Sequence, residues 1–110
     1  MISIDDFKKI EFRVGTIVTV DEFPEAKNPA YKLKIDFGGF GIKQSSAQVT
    51  DNYLPADLLN RQVVAVVNFP PKKIASLTSE VLVLGADGNE NGIILLDLDK
   101  PIQNLSLIHI

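Results

Sequence analysis

The stretch Val63-Val64-Ala65-Val66-Val67-Asn68-Phe69-Pro70-Pro71-Lys72-Lys73-Ile74-Ala75-Ser76-Leu77-Thr78-Ser79-Glu80-Val81-Leu82-Val83-Leu84 decides how this chain is read. An unbroken β-branched run, a Pro-Pro stop, two adjacent lysines, a short turn and a second apolar run predict two buried strands joined by a cationic elbow. Pro70 and Pro71 carry no amide hydrogen and fix φ, so the chain leaves the first strand stiffly and cannot extend its ladder. Lys72 and Lys73 are therefore expected on a rigid mount, where two ammonium groups can neutralise adjacent phosphates. Asn68 and Ser79 offer neutral hydrogen bonds at the two ends of the elbow.

Upstream of that stretch, Ser3-Ile4-Asp5-Asp6-Phe7-Lys8-Lys9-Ile10 reads as a short helix with Ser3 as N-cap, acids in the first turn and lysines in the last. A helix this short needs Ile4, Phe7 and Ile10 packed on the barrel or on a second subunit. Phe12 to Glu22 alternates with the period of a long half-buried strand, and Gly15 within it predicts a bulge or strong coiling. Pro24 to Pro29 is a loop, and Tyr31 to Phe37 a second strand with Leu33, Ile35 and Phe37 inward and Lys32, Lys34 and Asp36 outward. Gly38-Gly39-Phe40-Gly41 lacks the following helix that a phosphate cradle requires, so it reads as a hairpin turn into a third strand, Ile42 to Val49. Lys43, Gln44, Ser45, Ser46 and Gln48 make that strand unusually polar. Tyr53 to Asn60 reads as a short helix with an early Pro55.

Three strands, a helix and two more strands are the plan of an all-β, five-stranded OB-fold barrel (oligonucleotide/oligosaccharide-binding), here with N- and C-terminal extensions. Gly85 to Gly92 matches the first half of a calcium loop, but the twelfth position is Leu98 and no helices flank it, so a hairpin loop is expected. The tail places four apolar residues among Leu105 to Ile110 at a free end, which calls for cover by a partner subunit.

A chain of 110 residues and 12.1 kDa with 45% apolar residues predicts one domain spanning residues 1–110. It has no run of about 18 apolar residues and no charged-then-apolar leader, which predicts a soluble cytoplasmic chain without membrane insertion. Zero cysteines and one histidine, His109 in the apolar tail, leave no thiol or triad and no soft-ligand set, so neither a metal, nor a cofactor, nor an enzyme is expected. Asp97 and Asp99 alternate with leucines as an exposed strand face and do not form an acid–base pair. The net charge of −3 and pI near 5.0 mean that a polyanion must be met by a local basic patch.

Asn68 to Leu84, taken with Arg13-Val14-Gly15-Thr16-Ile17, resembles the tRNA-binding domain appended to bacterial methionyl-tRNA synthetases, phenylalanyl-tRNA synthetase β chains and the endothelial monocyte-activating cytokine. Among stand-alone members the chain looks most like the CsaA protein-export chaperone family, whose Asn-Phe-Pro-Pro followed by two basic residues is matched by Asn68 to Lys73. Val81-Leu82 and Ser76 depart from the synthetase-type pattern and fit the chaperone-like branch. The resemblance implies a homodimeric OB-fold that binds tRNA or another structured RNA. The expected contacts are Arg13, Lys32, Lys34, Lys43, Lys72 and Lys73 by charge and Ser46, Gln48, Asn68 and Ser79 as neutral groups. Glu80, in the family's Ser-Glu pair, is expected to be structural. The alternative is an ATP-independent export chaperone that holds unfolded polypeptide in the same groove. Ile4, Phe7, Leu105, Leu107 and Ile108 are the expected dimer interface.

Overall fold

A computed structural model describes all 110 residues. In chain order the elements are α1 (Ile4–Lys8), β1 (Phe12–Glu22), β2 (Tyr31–Asp36), a single 3-10 turn (Gly38–Phe40), β3 (Ile42–Ala47), α2 (Pro55–Leu58), β4 (Gln62–Val66), β5 (Lys72–Ile74), β6 (Leu77–Ser79), β7 (Leu82–Val83), β8 (Gly85–Asp87), a second 3-10 turn (Asn89–Asn91) and β9 (Ile93–Leu95). Antiparallel pairing gives the sheet order β3-β2-β1-β4-β7, with β5-β6 and β8-β9 as separate hairpins. Residues Gly85 to Gly92 thus open a hairpin, as their sequence predicts.

The sheet curls into a nearly closed OB-like barrel, and the seam is made partly by side chains. The Glu80 amide donates to the Gln44 carbonyl at 2.8 Å, and the Gln44 amide donates to the Glu80 carboxylate at 3.2 Å. Next to it the Ser45 hydroxyl donates to the Val81 carbonyl at 3.0 Å and the Ser46 amide to Ser79 Oγ at 3.4 Å. The Ser79-Glu80 pair therefore supplies acceptors that a regular ladder would have taken from the backbone, and edge groups that would otherwise be left open are satisfied.

Inside the barrel, Ile17, Leu33, Ile35, Phe37, Val63 and Ala65 interdigitate with less than about 2% of each exposed, and Leu58 of α2 plugs one end. Burying a side chain of that size stabilises by about 1.5–3 kcal/mol. Pro55 at the helix start and the Asp57 carboxylate accepting from the Leu54 amide at 2.8 Å fix α2 in place.

Gly15 does not mark the bulge that its position in β1 predicts. The register slips between Ile17 and Thr19, and Gly15 stays in ladder opposite Val63. Its reason is space: a Cβ there would stand 2.6 Å from Ile35 Cγ2 and 2.8 Å from the Phe37 ring. The slip lets one long strand serve both halves of the barrel, as inward residues change sides at Val18.

Both ends of the chain are tied to β1. α1 carries the expected Ser3 cap, with a reciprocal bond from the Ser3 amide to Asp6. The Ser3 amide, and next to it the Lys9 ammonium, hold the Asp6 carboxyl below its ordinary value. The tail lies along the part of β1 that β2 leaves free, with Leu105 N–H to Val14 O at 2.8 Å and Ile108 N–H to Phe12 O at 3.1 Å.

Candidate nucleic-acid interface

On β2 the period of two sends Lys32 and Lys34 outward while Leu33 and Ile35 enter the core. Their cross-strand partners on β3 are Ser46 and Gln44, and on β1 Asp21 and Thr19. Directly opposed residues share a face, so Lys32, Lys34, Gln44 and Ser46 form one polar surface, and the exposed Gln48 continues it.

Two loops stand beside that surface. The first, Phe23 to Ala30, joins β1 to β2; the second is the β5–β6 hairpin, inserted between β4 and β7. Phe23, Ala30 and Leu77 form a small core of their own, with Ala26 and Ile74 against it, so the two loops are packed on one another. The Ser76 hydroxyl donates to Glu25 Oε2 at 2.8 Å, and Lys32 Nζ lies 4.0 Å from the same oxygen and 5.2 Å from the Phe23 ring centroid. The Ser76 hydrogen bond is the main cause that holds the Glu25 carboxyl below its ordinary value; its own backbone amide and, more weakly, the Lys32 charge add to it. Lys32, Lys34, Gln44, Ser76 and Leu77 line a depression of about 270 Å³ between the strands and the hairpin. Strands 2 and 3 of an OB barrel flanked by these two loops are where such folds take up oligonucleotides and oligosaccharides.

The elbow lysines are placed differently from their sequence expectation. Lys72 and Lys73 lie in a strand, paired with Ser79 and Thr78, and neighbours in a strand project to opposite faces. Lys72 shares the face of Ile74, Leu77 and Ser79; Lys73 shares that of the exposed Thr78. They do not form a twin cation aimed at one spot.

Other expected contacts are engaged within the chain. Asn68 donates from Nδ2 to the Lys9 carbonyl at 2.7 Å and accepts from the Glu11 amide at 2.8 Å, stapling the N-terminal segment to the end of β4. Ser79 is 2% exposed, with its hydroxyl bonded to the Val81 carbonyl at 3.1 Å. Arg13 donates to the Leu105 carbonyl at 3.0 Å, lies 3.5 Å from Glu11 and sits 5.6 Å over the Phe40 ring, which anchors the tail. Lys43 is opposite Ile35 and so on the other face of β3 from Gln44, with its Nζ 3.9 Å from Glu80. It borders a second cleft of about 190 Å³ with Phe40, Phe69 and Pro71, where the two aromatic rings are 43% and 46% exposed.

A third hollow of about 540 Å³ lies between α1 and the tail, lined by Phe7, Ile10, Phe12, Leu107, Ile108 and Ile110 together with Lys8, Lys9, Glu11, Asn68 and His109. Ile4 and Leu107 are well exposed, whereas Leu105 packs on the main core. Glu25 was invisible to sequence reasoning, since it meets Ser76 across 51 positions. The only signal was the apolar trio Phe23, Ala26 and Ala30, the first and last flanking Pro24 and Pro29 and Ala26 lying between them.

Residues 12–105 match the family described as "Putative tRNA binding domain". The chain is 39% identical over 102 residues to the methionine–tRNA ligase of Pyrococcus furiosus, an alignment covering 93% of this chain and 14% of that enzyme. It thus spans a small fraction of the curated relatives it matches. Two solved structures superpose nearly end to end. The chaperone CsaA of Bacillus anthracis str. Ames has 47% identity and a TM-score of 0.94, covering 99% of each chain. The CsaA chaperone protein of Picrophilus torridus has 52% identity and a TM-score of 0.93, covering 99% of this chain and 100% of that one.

Proposed function

We propose that the chain, which belongs to the tRNA-binding-domain family and to its CsaA-type branch, binds structured RNA, tRNA in the first place, through phosphate contacts along the Lys32–Lys34 row. The observation that carries this reading is the outward polar surface of β2 and β3 enclosed by two mutually packed loops. A chain of net charge −3 has to meet a polyanion locally, and Lys32 and Lys34 stand together on one face of β2 for that purpose. Ser46 and Gln48 add neutral hydrogen bonds along the row, and Asn68, Ser79 and Arg13 act as positioning groups for the hairpin and the termini. The role is binding, not catalysis, and residues 1–110 act as one domain. A titration with bulk tRNA at two salt concentrations tests it; absence of a salt-dependent complex overturns it.

Lys72 joins the contact surface because it shares the face of Leu77, which lines the basic depression. Lys72→Ala is expected to reduce the slope of log K against log salt by about 1, whereas Lys73→Ala leaves it unchanged. Equal losses for the two single variants overturn the one-sided assignment.

A second reading, ATP-independent holding of unfolded polypeptide ahead of export, is favoured by the likeness to proteins described as CsaA chaperones and by the exposed rings of Phe40 and Phe69. Suppression of aggregation of a denatured client, with tRNA as competitor, tests whether the two ligands share one groove. The reading places the protein in the cytoplasm.

Both readings include a homodimer, supported by Phe7, Leu107 and Ile108 gathered at one hollow and by the exposure of Ile4 on α1. Light scattering should give twice the 12.1 kDa chain mass, and Leu107→Asp should return the single-chain mass with the fold intact. A wild-type protein of single-chain mass at working concentrations refutes the dimer.

A further inference from the structure

We propose that the Glu25 carboxylate is a built-in occupant of a phosphate subsite formed by the Ser76 hydroxyl and the Lys32 ammonium, and that a backbone phosphate of bound RNA displaces it. The proposal rests on the RNA-binding reading above and deepens it. One carboxylate oxygen, Oε2, accepts from Ser76 Oγ at 2.8 Å and faces Lys32 Nζ at 4.0 Å. Ser76 and Lys32 both line the basic depression, while Glu25 stands at its rim on an exposed loop. A phosphate oxygen makes the same demands as that carboxylate oxygen, one hydroxyl donor and one cation.

Displacement is cheap in structural terms. Phe23, Ala30 and Leu77 hold the two loops together beneath the polar contact, so Ser76 and Lys32 keep their places when the Glu25 side chain turns out to water. Asp21, the cross-strand partner of Lys32, and Lys34 are the other charged groups lining the depression. An exposed carboxylate is ionised at neutral pH, and the Ser76 hydrogen bond lowers the Glu25 value further, so displacement requires a competing anion and not a change of pH near neutrality. The consequence is selectivity: a sparse polyanion meets a Lys32 already paired, whereas phosphates spaced to reach Lys34 as well can displace the internal one.

The test compares tRNA binding by wild type, Glu25→Gln, Lys32→Met and the double variant. Glutamine keeps an acceptor for Ser76 and removes the charge, so Glu25→Gln should bind about fivefold tighter at low ionic strength, the advantage fading as salt screens it. In the Lys32→Met background the same change should have no effect. Wild type that binds while Glu25→Gln binds equally, or a gain that persists without Lys32, overturns the subsite and leaves the RNA reading standing. No binding by any of the four removes both. Independently of the variants, saturating inorganic phosphate should shift the wild-type amide resonances of Glu25 and Ser76; resonances that stay in place overturn the proposal.

Discussion

Lys32→Ala combined with Lys34→Ala is expected to weaken binding of bulk tRNA by roughly thirty- to sixtyfold near about 0.1 M monovalent salt. Each lysine that neutralises a phosphate releases about 0.7–0.9 of a condensed counterion, which near about 0.1 M salt is worth roughly five- to eightfold in affinity. Both side chains leave the same face of β2, two residues apart, so one backbone can meet both at once. The loss should be uniform across tRNA species, because phosphate contacts carry no base information. The slope of log K against log salt should flatten by about 1.4–1.8, and stability should stay near wild type, since Lys34 is exposed and Lys32 half-exposed. An unchanged slope would move the RNA to another face of the barrel.

Phe37→Ala should be the most damaging single change to the fold, costing about 3–5 kcal/mol of unfolding free energy in a urea titration. Phe37 is fully buried at the end of β2, and its ring fills space that also touches Gly15. That is a large share of the roughly 5–15 kcal/mol by which a domain of this size is stable. Gly15→Ala presses on the same contact from the other side: its methyl would need Ile35 and Phe37, both without room to retreat, to give way, at about 1–3 kcal/mol. Combining Gly15→Ala with Phe37→Leu should cost less than the sum of the two single changes, because the smaller side chain makes room for the new methyl. Strict additivity would show that the close approach of β1 to the Phe37 ring is not what reserves position 15 for glycine.

Several features were legible in the chain because they depend on neighbours in sequence. Alternation along Tyr31 to Phe37 separates Lys32 and Lys34 from Leu33, Ile35 and Phe37, and the observed burial follows it. Ser3 with Asp6 announces the first helix, and Pro70-Pro71 keeps the ladder from resuming after β4 ends at Val66. The order of strands around one short helix is enough for the barrel. The elbow was legible only in part. Its prolines and lysines are evident, but pairing with Leu77 to Ser79 turns the lysines into strand neighbours that diverge.

Local pattern therefore determined the strands, the caps and the inward and outward faces of β2. Tertiary structure alone decided that Glu25 reaches Ser76, that Ser79 and Glu80 close the barrel seam, and that Asn68 and Arg13 are occupied in holding the termini. The physical reason is range. Backbone periodicity acts over two to four residues, whereas each of these hydrogen bonds joins residues 33 to 92 positions apart, and its geometry exists only once the sheet has closed.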